Sequence, residues 1–362
     1  MRRFTLVHSM FLSTCGFLLA ATSAGCGGDD PPPPSPPDMA MVKPTVTCTS
    51  DQVTGSSNKL ASNALLLPKS TGGSTYTYDF DGDGKPENQL KNLINVVSLS
   101  GLDIQGSINT AVESGEAVLL TDIKSADLMA STCSSVSFAL ADSPMMGWKP
   151  KFDGTDMFKV GPIMAVTLFG GITAGKLNTT PSKEQTAANE QKVSLNLPLG
   201  MGNNLPLALR GAHVEGTLAM EGGVLKIKNG AIHGVLSQKD IDEKIVPLVA
   251  NLLTDLIHKD TKMGVPGDTA KAIIGLFEQK TGAASKAKCA ANAADCCGLT
   301  GMAHPDTCKI VSQEVKDSSI GGVLAPDVQV LDDQGNWKPV PGGKMLNGMS
   351  VGIGFTSVTA KF

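Results

Sequence analysis

The chain has 362 residues, 30 basic against 34 acidic, a formal net charge of −4 and only 4% aromatic side chains. That balance excludes a nucleic-acid binder, which needs a basic footprint, and no window supplies the ~20 apolar residues of a membrane-spanning helix. A folded body of about 310 residues exceeds the size at which single cores stop growing, which predicts one elongated domain or two tightly joined lobes.

The N-terminus reads MRRFTLVHSMFLSTCGFLLAATSAGC. Arg2 and Arg3 give it a basic start, and no other formal charge appears before Asp29. The apolar stretch around Met10 to Ala21 is short and runs into small residues, which marks an export signal rather than a transmembrane helix. "SAGC" at 23–26 resembles the lipobox of bacterial lipoproteins. The resemblance implies cleavage after residue 25 and acylation of Cys26, palmitate included. Gly27, rather than Asp, follows Cys26, and by resemblance to enteric lipoprotein sorting this implies the outer membrane. Losing residues 1–25 removes both arginines and leaves 337 residues, 28 basic against 34 acidic, or −6. The next segment, 26–47, holds "GGDDPPPPSPPDMAMVKPT". Its proline cluster, with no aliphatic run and no periodicity, reads as a stiff tether.

Residues 48–237 read as a β-rich domain, and near its start lies "DFDGDGKPENQL", residues 79–90. Carboxylates fall at loop positions 1, 3, 5 and 9, as Asp79, Asp81, Asp83 and Glu87, and the Lys85 carbonyl suits position 7. Calcium takes six to eight oxygens, and such alternation turns each carboxylate toward one ion. Gly82 and Gly84 permit the tight turn. Leu90 stands where an EF-hand would place its bidentate Glu, and the loop instead resembles the shorter DxDGDGxxD calcium loops of extracellular repeats. Pro86 suits a helix start, with Leu90, Leu93, Ile94 and Val97 as the apolar stripe of a helix over 86–99, fed by a strand "TYTYDF". The ion read here is structural calcium.

Alternation then dominates. "KVSLNLPLG" places Val193, Leu195, Leu197 and Leu199 on one face, and Leu205, Leu207 and Leu209 follow, with "EGG" at 221–223 as a hairpin turn. This predicts antiparallel strands with one buried face, and glycines inside "GITAGKL", "GAHVEGTL" and "GAIHGVL" mark bends of a curved sheet. "GGITAGKL" approaches a phosphate loop, but Leu177 occupies the magnesium-ligand position. "HVE" puts His213 and Glu215 on one strand face, which could bind a metal or act as acid and base, although scattered, satisfied histidines are commoner.

Residues 238–320 read as a helical, disulfide-rich segment. Ser237 with Asp240 resembles a capping box, and Ile241, Ile245, Val249, Leu252 and Leu256 follow at helical spacing. Pro247 kinks that helix or delays its start. "DTAKAIIGLFEQKTG" gives a second helix stopped by Gly282, and a third is expected near Pro305. Without Cys15 and Cys26, six cysteines remain: Cys48, Cys133, Cys289, Cys296, Cys297 and Cys308. An even set in an exported chain reads as disulfides. His304 lies near the last four, but no C-x2-C pair exists there to favour zinc. Cys48 with Cys133 is the pair left by elimination.

Residues 321–362 read as strands that rejoin the first sheet, through "GGVLAPDVQVLD" and "GMSVGIGFTSVTAKF". "GMSVG" matches the G-x-S-x-G nucleophile elbow, but only ten residues follow and none is Asp, Glu or His. Phe362 ends the chain as outer-membrane barrel strands end, yet two Trp and two Tyr in the whole chain cannot form aromatic girdles.

The fold class expected is therefore α+β, mainly antiparallel β, as a curved sheet or sandwich with a few packed helices. Signal, tether and acidic loop together resemble exported bacterial lipoproteins with a calcium loop, of the uncharacterised kind frequent in myxobacteria. The resemblance implies a cell-envelope protein, periplasmic or surface-exposed, attached to the outer membrane by its lipid. Its role is read as non-catalytic binding or structure, with a lipid or protein ligand. A carrier of an apolar ligand in a sheet groove is the alternative, and an unrecognised hydrolase is the second alternative.

Overall fold

The alternating leucines fold as the sequence expects, and they continue further around than a curved sheet would need. In the computed structural model, which describes residues 48–69, 75–99, 103–142, 148–161, 166–179, 192–200, 203–278, 288–297, 305–331 and 338–362, residues 45–362 cluster as one unit. The strands are β1 (Ser56–Leu66), β2 (Leu119–Ser125), β3 (Ala130–Leu140), β4 (Val166–Thr173), β5 (Lys176–Thr179), β6 (Val193–Gly200), β7 (Asn203–Glu221) and β8 (Val224–Ser237). A two-residue pair, β9 (Thr261–Lys262) with β10 (Val265–Pro266), stands apart, and β11 (Gly348–Thr359) ends the chain.

Sheet order is β5-β4-β3-β2-β1-β11-β8-β7-β6, with an additional β5–β7 pairing. All these pairings are antiparallel. The nineteen-residue β7 makes closure possible. Its first half pairs with β6 at Leu205 to Leu209, and its second half pairs with β5 at Glu215 to Thr217. One edge thus changes partner, and eight strands close into a barrel. As expected, β11 rejoins the sheet, between β1 and β8.

An eight-stranded barrel has an interior just wide enough for side chains to fill. Here Phe138 on β3 meets Phe355 on β11 edge to face, ring centres 6.4 Å apart, although two strands separate them in the sheet. Leu60, Ile123, Val136, Val214, Ile232 and Ile353 join the same buried cluster. Parts of the outer face carry their own cover. Phe158, with Trp148, Phe152 and Phe362, lies over Ala61, Val118 and Leu120.

The helices are α1 (Leu90–Leu99), α2 (Ile104–Glu113), α3 (Gln238–Asp240), α4 (Val246–Asp260), α5 (Asp268–Glu278), α6 (Ser312–Asp317) and α7 (Ser319–Val323). Ser237 caps α3 as expected, accepting from the Asp240 N–H at 3.1 Å. A π-turn over Ile241–Ile245 widens the backbone just before Pro247, so α3 runs into α4 despite the proline. Gln105 on α2 ties that helix to the end of β1, donating to the Leu65 carbonyl and accepting from the Leu67 N–H, both at 2.9 Å.

Several expected boundaries shift. Pro86 stands outside α1, which begins at Leu90, and the Val97 side chain is outside the described set. "TYTYDF" is not a strand, because Tyr76 has φ 55° and only Tyr78 makes an isolated bridge. Pro305 opens a turn and the next helix starts at Ser312. "GGVLAPDVQVLD" begins inside α7 and, as far as Leu331, continues as an extended cover that meets β11 through an isolated bridge, Val328 to Gly348, instead of forming a strand. Gly282, His304, Cys26 and the signal and tether fall outside the described residues. Among the described residues no helix is long and apolar enough to cross a membrane.

Candidate metal centre

The acidic stretch lies between β1 and α1 and folds as a closed loop. Tyr78 and Glu87 exchange N–H···O bonds of 3.2 and 3.1 Å, pinning its two ends. Gly82 and Gly84, at φ 82° and 85°, occupy the left-handed region that only glycine enters freely. Asp79 accepts from the Gly82 and Gly84 N–H groups at 2.7 and 3.2 Å. Asp81 accepts from the Asp83 N–H at 3.0 Å, and Asp83 from the Lys85 N–H at 2.8 Å. Each aspartate is therefore held by backbone around one point.

One oxygen from each of Asp79, Asp81, Asp83 and Glu87 lies within 4.8 Å of all the others. Two ligands on opposite sides of a calcium ion, each at 2.3–2.6 Å, stand about 4.6–5.2 Å apart. The four donors sit on that scale. Lys85 belongs to the same turn, and its exposed ammonium pairs with Asp83 at 3.2 Å.

Charge in this loop is poorly balanced by protein. Among the described residues, no cationic side chain pairs with Asp79, Asp81 or Glu87. Glu87 Oε2 is buried with no hydrogen-bond partner. Burial first, then the Asp81, Asp79 and Asp327 charges, push the Glu87 carboxyl up to about 7. In contrast, the Lys85 N–H holds Asp83 below the usual carboxylate range. A bound cation would satisfy the orphaned Glu87 oxygen and neutralise its neighbours, so the residues fit a metal ion.

The loop is seated on the outer face of β7, β8 and β11. Tyr78 stacks on His213, ring centres 4.4 Å apart, and lies 5.4 Å from His233. His213 and Glu215 do share a face, and Glu215 reaches His233 Nε2 at 3.3 Å. Burial, then Asp79 and Glu215, push the Tyr78 hydroxyl up to about 12. Phe80 packs with Val235, Val328 and Val330.

Asn88 makes the closest attachment. Its amide donates to the carbonyls of Thr75, Tyr76 and Gly352 at 2.9, 3.1 and 3.0 Å, and its Oδ1 accepts from the Gly352 N–H at 3.0 Å. β1 pairs with β11 only as far as Leu66 opposite Gly354. Beyond that point the Asn88 side chain and the Gln89 N–H, bonded to the Ser350 carbonyl at 3.0 Å, continue the ladder. A Cβ on Gly352 would overlap the Tyr76 carbonyl. That is the use of the last glycine in "GMSVG", where the chain stays a strand after Ser350 and no nucleophile elbow forms. "GGITAGKL" is likewise a hairpin, turning at Ala174 and Gly175 between β4 and β5.

Three disulfides form, Cys48–Cys133, Cys289–Cys296 and Cys297–Cys308. Such bonds belong to an oxidising, extracytoplasmic setting. Sequence reasoning missed Asp327, which accepts from the Ser350 N–H at 2.7 Å and from its hydroxyl. Nothing local marks it, since it stands 240 residues beyond Glu87. The chain matches no protein-family model, no curated protein and no solved structure, so its reading rests on this geometry.

Proposed function

We propose that this chain is an exported lipoprotein, anchored in the outer membrane through acylated Cys26, whose barrel is locked by a structural calcium ion. Asp79, Asp81, Asp83 and Glu87, with the Lys85 carbonyl, hold the ion. The role is binding or structural rather than catalytic. The observation that carries the reading is the four-carboxylate loop with its buried, unpartnered Glu87 oxygen. Calcium suits it better than magnesium, because magnesium demands about 2.0–2.1 Å octahedral geometry and keeps its waters, whereas calcium accepts a flexible cage of protein oxygens.

A small apolar cavity lies under Leu93, Leu199 and Leu252, and another small cavity, partly polar, lies under Phe138 and Val193. Each is about 10 Å³, and a cavity of that size holds at most about one water. Neither offers a chamber to an acyl chain, so the carrier alternative gains no support from them.

Two experiments test the reading. Calcium titration of the purified chain followed by calorimetry should show one site that Asp81→Asn removes. Cys26→Ser should move the protein from the membrane to the soluble fraction, and unchanged membrane retention would contradict the anchor.

A further inference from the structure

We propose that the barrel rim built from the β2–β3, β4–β5 and β7–β8 turns is the face that docks on the lipid bilayer holding the anchor. The inference rests on the acylated Cys26 of the reading above and adds the orientation of the barrel.

The three turns lie at one end of the barrel and are bonded together. The Gly175 N–H donates to the Met129 carbonyl at 2.9 Å, and the Leu218 N–H donates to the Gly175 carbonyl at 2.7 Å. α2 and α3 belong to the opposite end, where β1 finishes and β8 runs on into α3. Met129 and Met220 stand on the rim, 59% and 63% exposed. Met129 lies over the β4–β5 turn, where a Cβ added to Gly175 would come within 3.6 Å of its sulfur. Leu218 is buried, and Met220, two residues further along β7, carries the same strand face out into solvent.

The point where the chain enters says what covers this rim. Residues 1–47 lie outside the described residues, and the body begins at Cys48, whose disulfide to Cys133 fixes it beside the first residues of β3. At the start of that strand Ala130 and Ser131 pair with Thr173 and Ile172, next to the β4–β5 turn. Gly55 then passes so close to the end of β2 that a Cβ on it would overlap the Ser125 carbonyl. The root of the tether and the exposed methionines therefore share one end. Two methionines would not hold a free barrel on a bilayer. However, residues 26–47 join this end to Cys26, and such a leash makes docking intramolecular, at about millimolar effective concentration. Flexible, unbranched methionine side chains adapt to an irregular apolar surface.

Charge does not oppose the contact, although the whole chain carries −4. On the rim Lys226 and Lys228 pair with Glu221. Lys124 and Lys176 are exposed there, with Asp51 and Asp127 as the nearby acids in the same turns and root. Lysine stems lie along apolar surface while their heads stay in water.

The test reconstitutes the acylated chain in vesicles of phosphatidylethanolamine and phosphatidylglycerol with brominated acyl chains. Met129→Trp, Met220→Trp and Met263→Trp are compared, each read against the natural chain. Met263 is fully exposed in the β9–β10 turn, outside the rim. Bromine should quench the emission gained in Met129→Trp and Met220→Trp and leave that of Met263→Trp unquenched. Hydrogen exchange at 125–130 and 218–225 should be slower in the vesicle-bound natural chain than in the soluble Cys26→Ser chain. Combining Met129→Asp with Met220→Asp should abolish that slowing while the protein stays on the membrane through Cys26. If all three tryptophan variants are quenched alike, if the two rim variants are not quenched, or if exchange at the rim is the same with and without the anchor, the docking face is wrong while the anchor stands. If mass spectrometry finds Cys26 unmodified and the chain soluble, the anchor reading falls first and the docking face with it.

Discussion

Replacing Asn88 with Ala should destabilise the barrel far more than the loss of one surface amide. The side chain is 7% exposed and bonds four backbone groups, two of them on Gly352, whose outer edge has no strand partner there. An Ala leaves the Gly352 N–H and carbonyl buried and unpaired, and each such group costs about 1–3 kcal/mol. Water can reach the Thr75 and Tyr76 carbonyls more readily, so the expected total is about 2–4 kcal/mol. Urea unfolding in saturating calcium measures it, as a lowered midpoint with an unchanged slope. Asn88→Asp should fare no better, because it keeps only the acceptor and turns a carboxylate toward three carbonyls. A loss below about 0.5 kcal/mol, the lower limit for one hydrogen bond, would refute the idea that Asn88 substitutes for a strand at this edge.

Gly352→Ala should displace residues 75–78 and weaken calcium binding with the barrel still folded, seen as lost tyrosine-sensitised terbium luminescence with unchanged far-ultraviolet dichroism. In chelator, stability should fall as pH rises from about 4.5 through about 7, because Glu87 folds with its carboxyl raised and the stabilisation of its protonated form is lost over that window. Saturating calcium should reverse that trend, since the ion binds the carboxylate; a chelated melting curve that rises with pH would overturn the assignment. Cys48 and Cys133 are 85 residues apart against 11 for Cys297 and Cys308. Replacing the first pair with Ser should therefore destabilise by about 4–5 kcal/mol and the second by about 3 kcal/mol, checked by denaturant midpoints.

The sequence was most legible where one residue's surroundings are set by its near neighbours. Leu195, Leu197, Leu205 and Leu207 alternate because every second side chain points inward, and all four are buried. The Ser237 cap and the acidic loop depend on bonds spanning two to five residues, which spacing alone reveals. Closure of the barrel depends on β5 finding β7, and no local pattern encodes that pairing. Tyr76 and Tyr78 have strand-like composition, yet they serve as a lid on β11 and on His213. Val328 and Val330 alternate for a real reason, burial against Val235, without any ladder to make them a strand. α2 was readable and missed: Asp103 caps it at 2.8 Å, and Ile104, Ile108, Ala111 and Val112 fall at helical spacing. Gly106 and the β-branched residues hid it.

One thermal melt, run in chelator and then in calcium up to the millimolar range where extracellular modules bind, tests the calcium site most directly. Linkage gives about 1.4 kcal/mol of added stability at ten times the dissociation constant and about 2.7 kcal/mol at a hundred times. The melting temperature should therefore climb with calcium and keep climbing logarithmically past saturation, and Asp81→Asn should abolish the climb. Identical melting in chelator and in millimolar calcium would contradict the account, and leave Asp79 to Glu87 as a solvated turn.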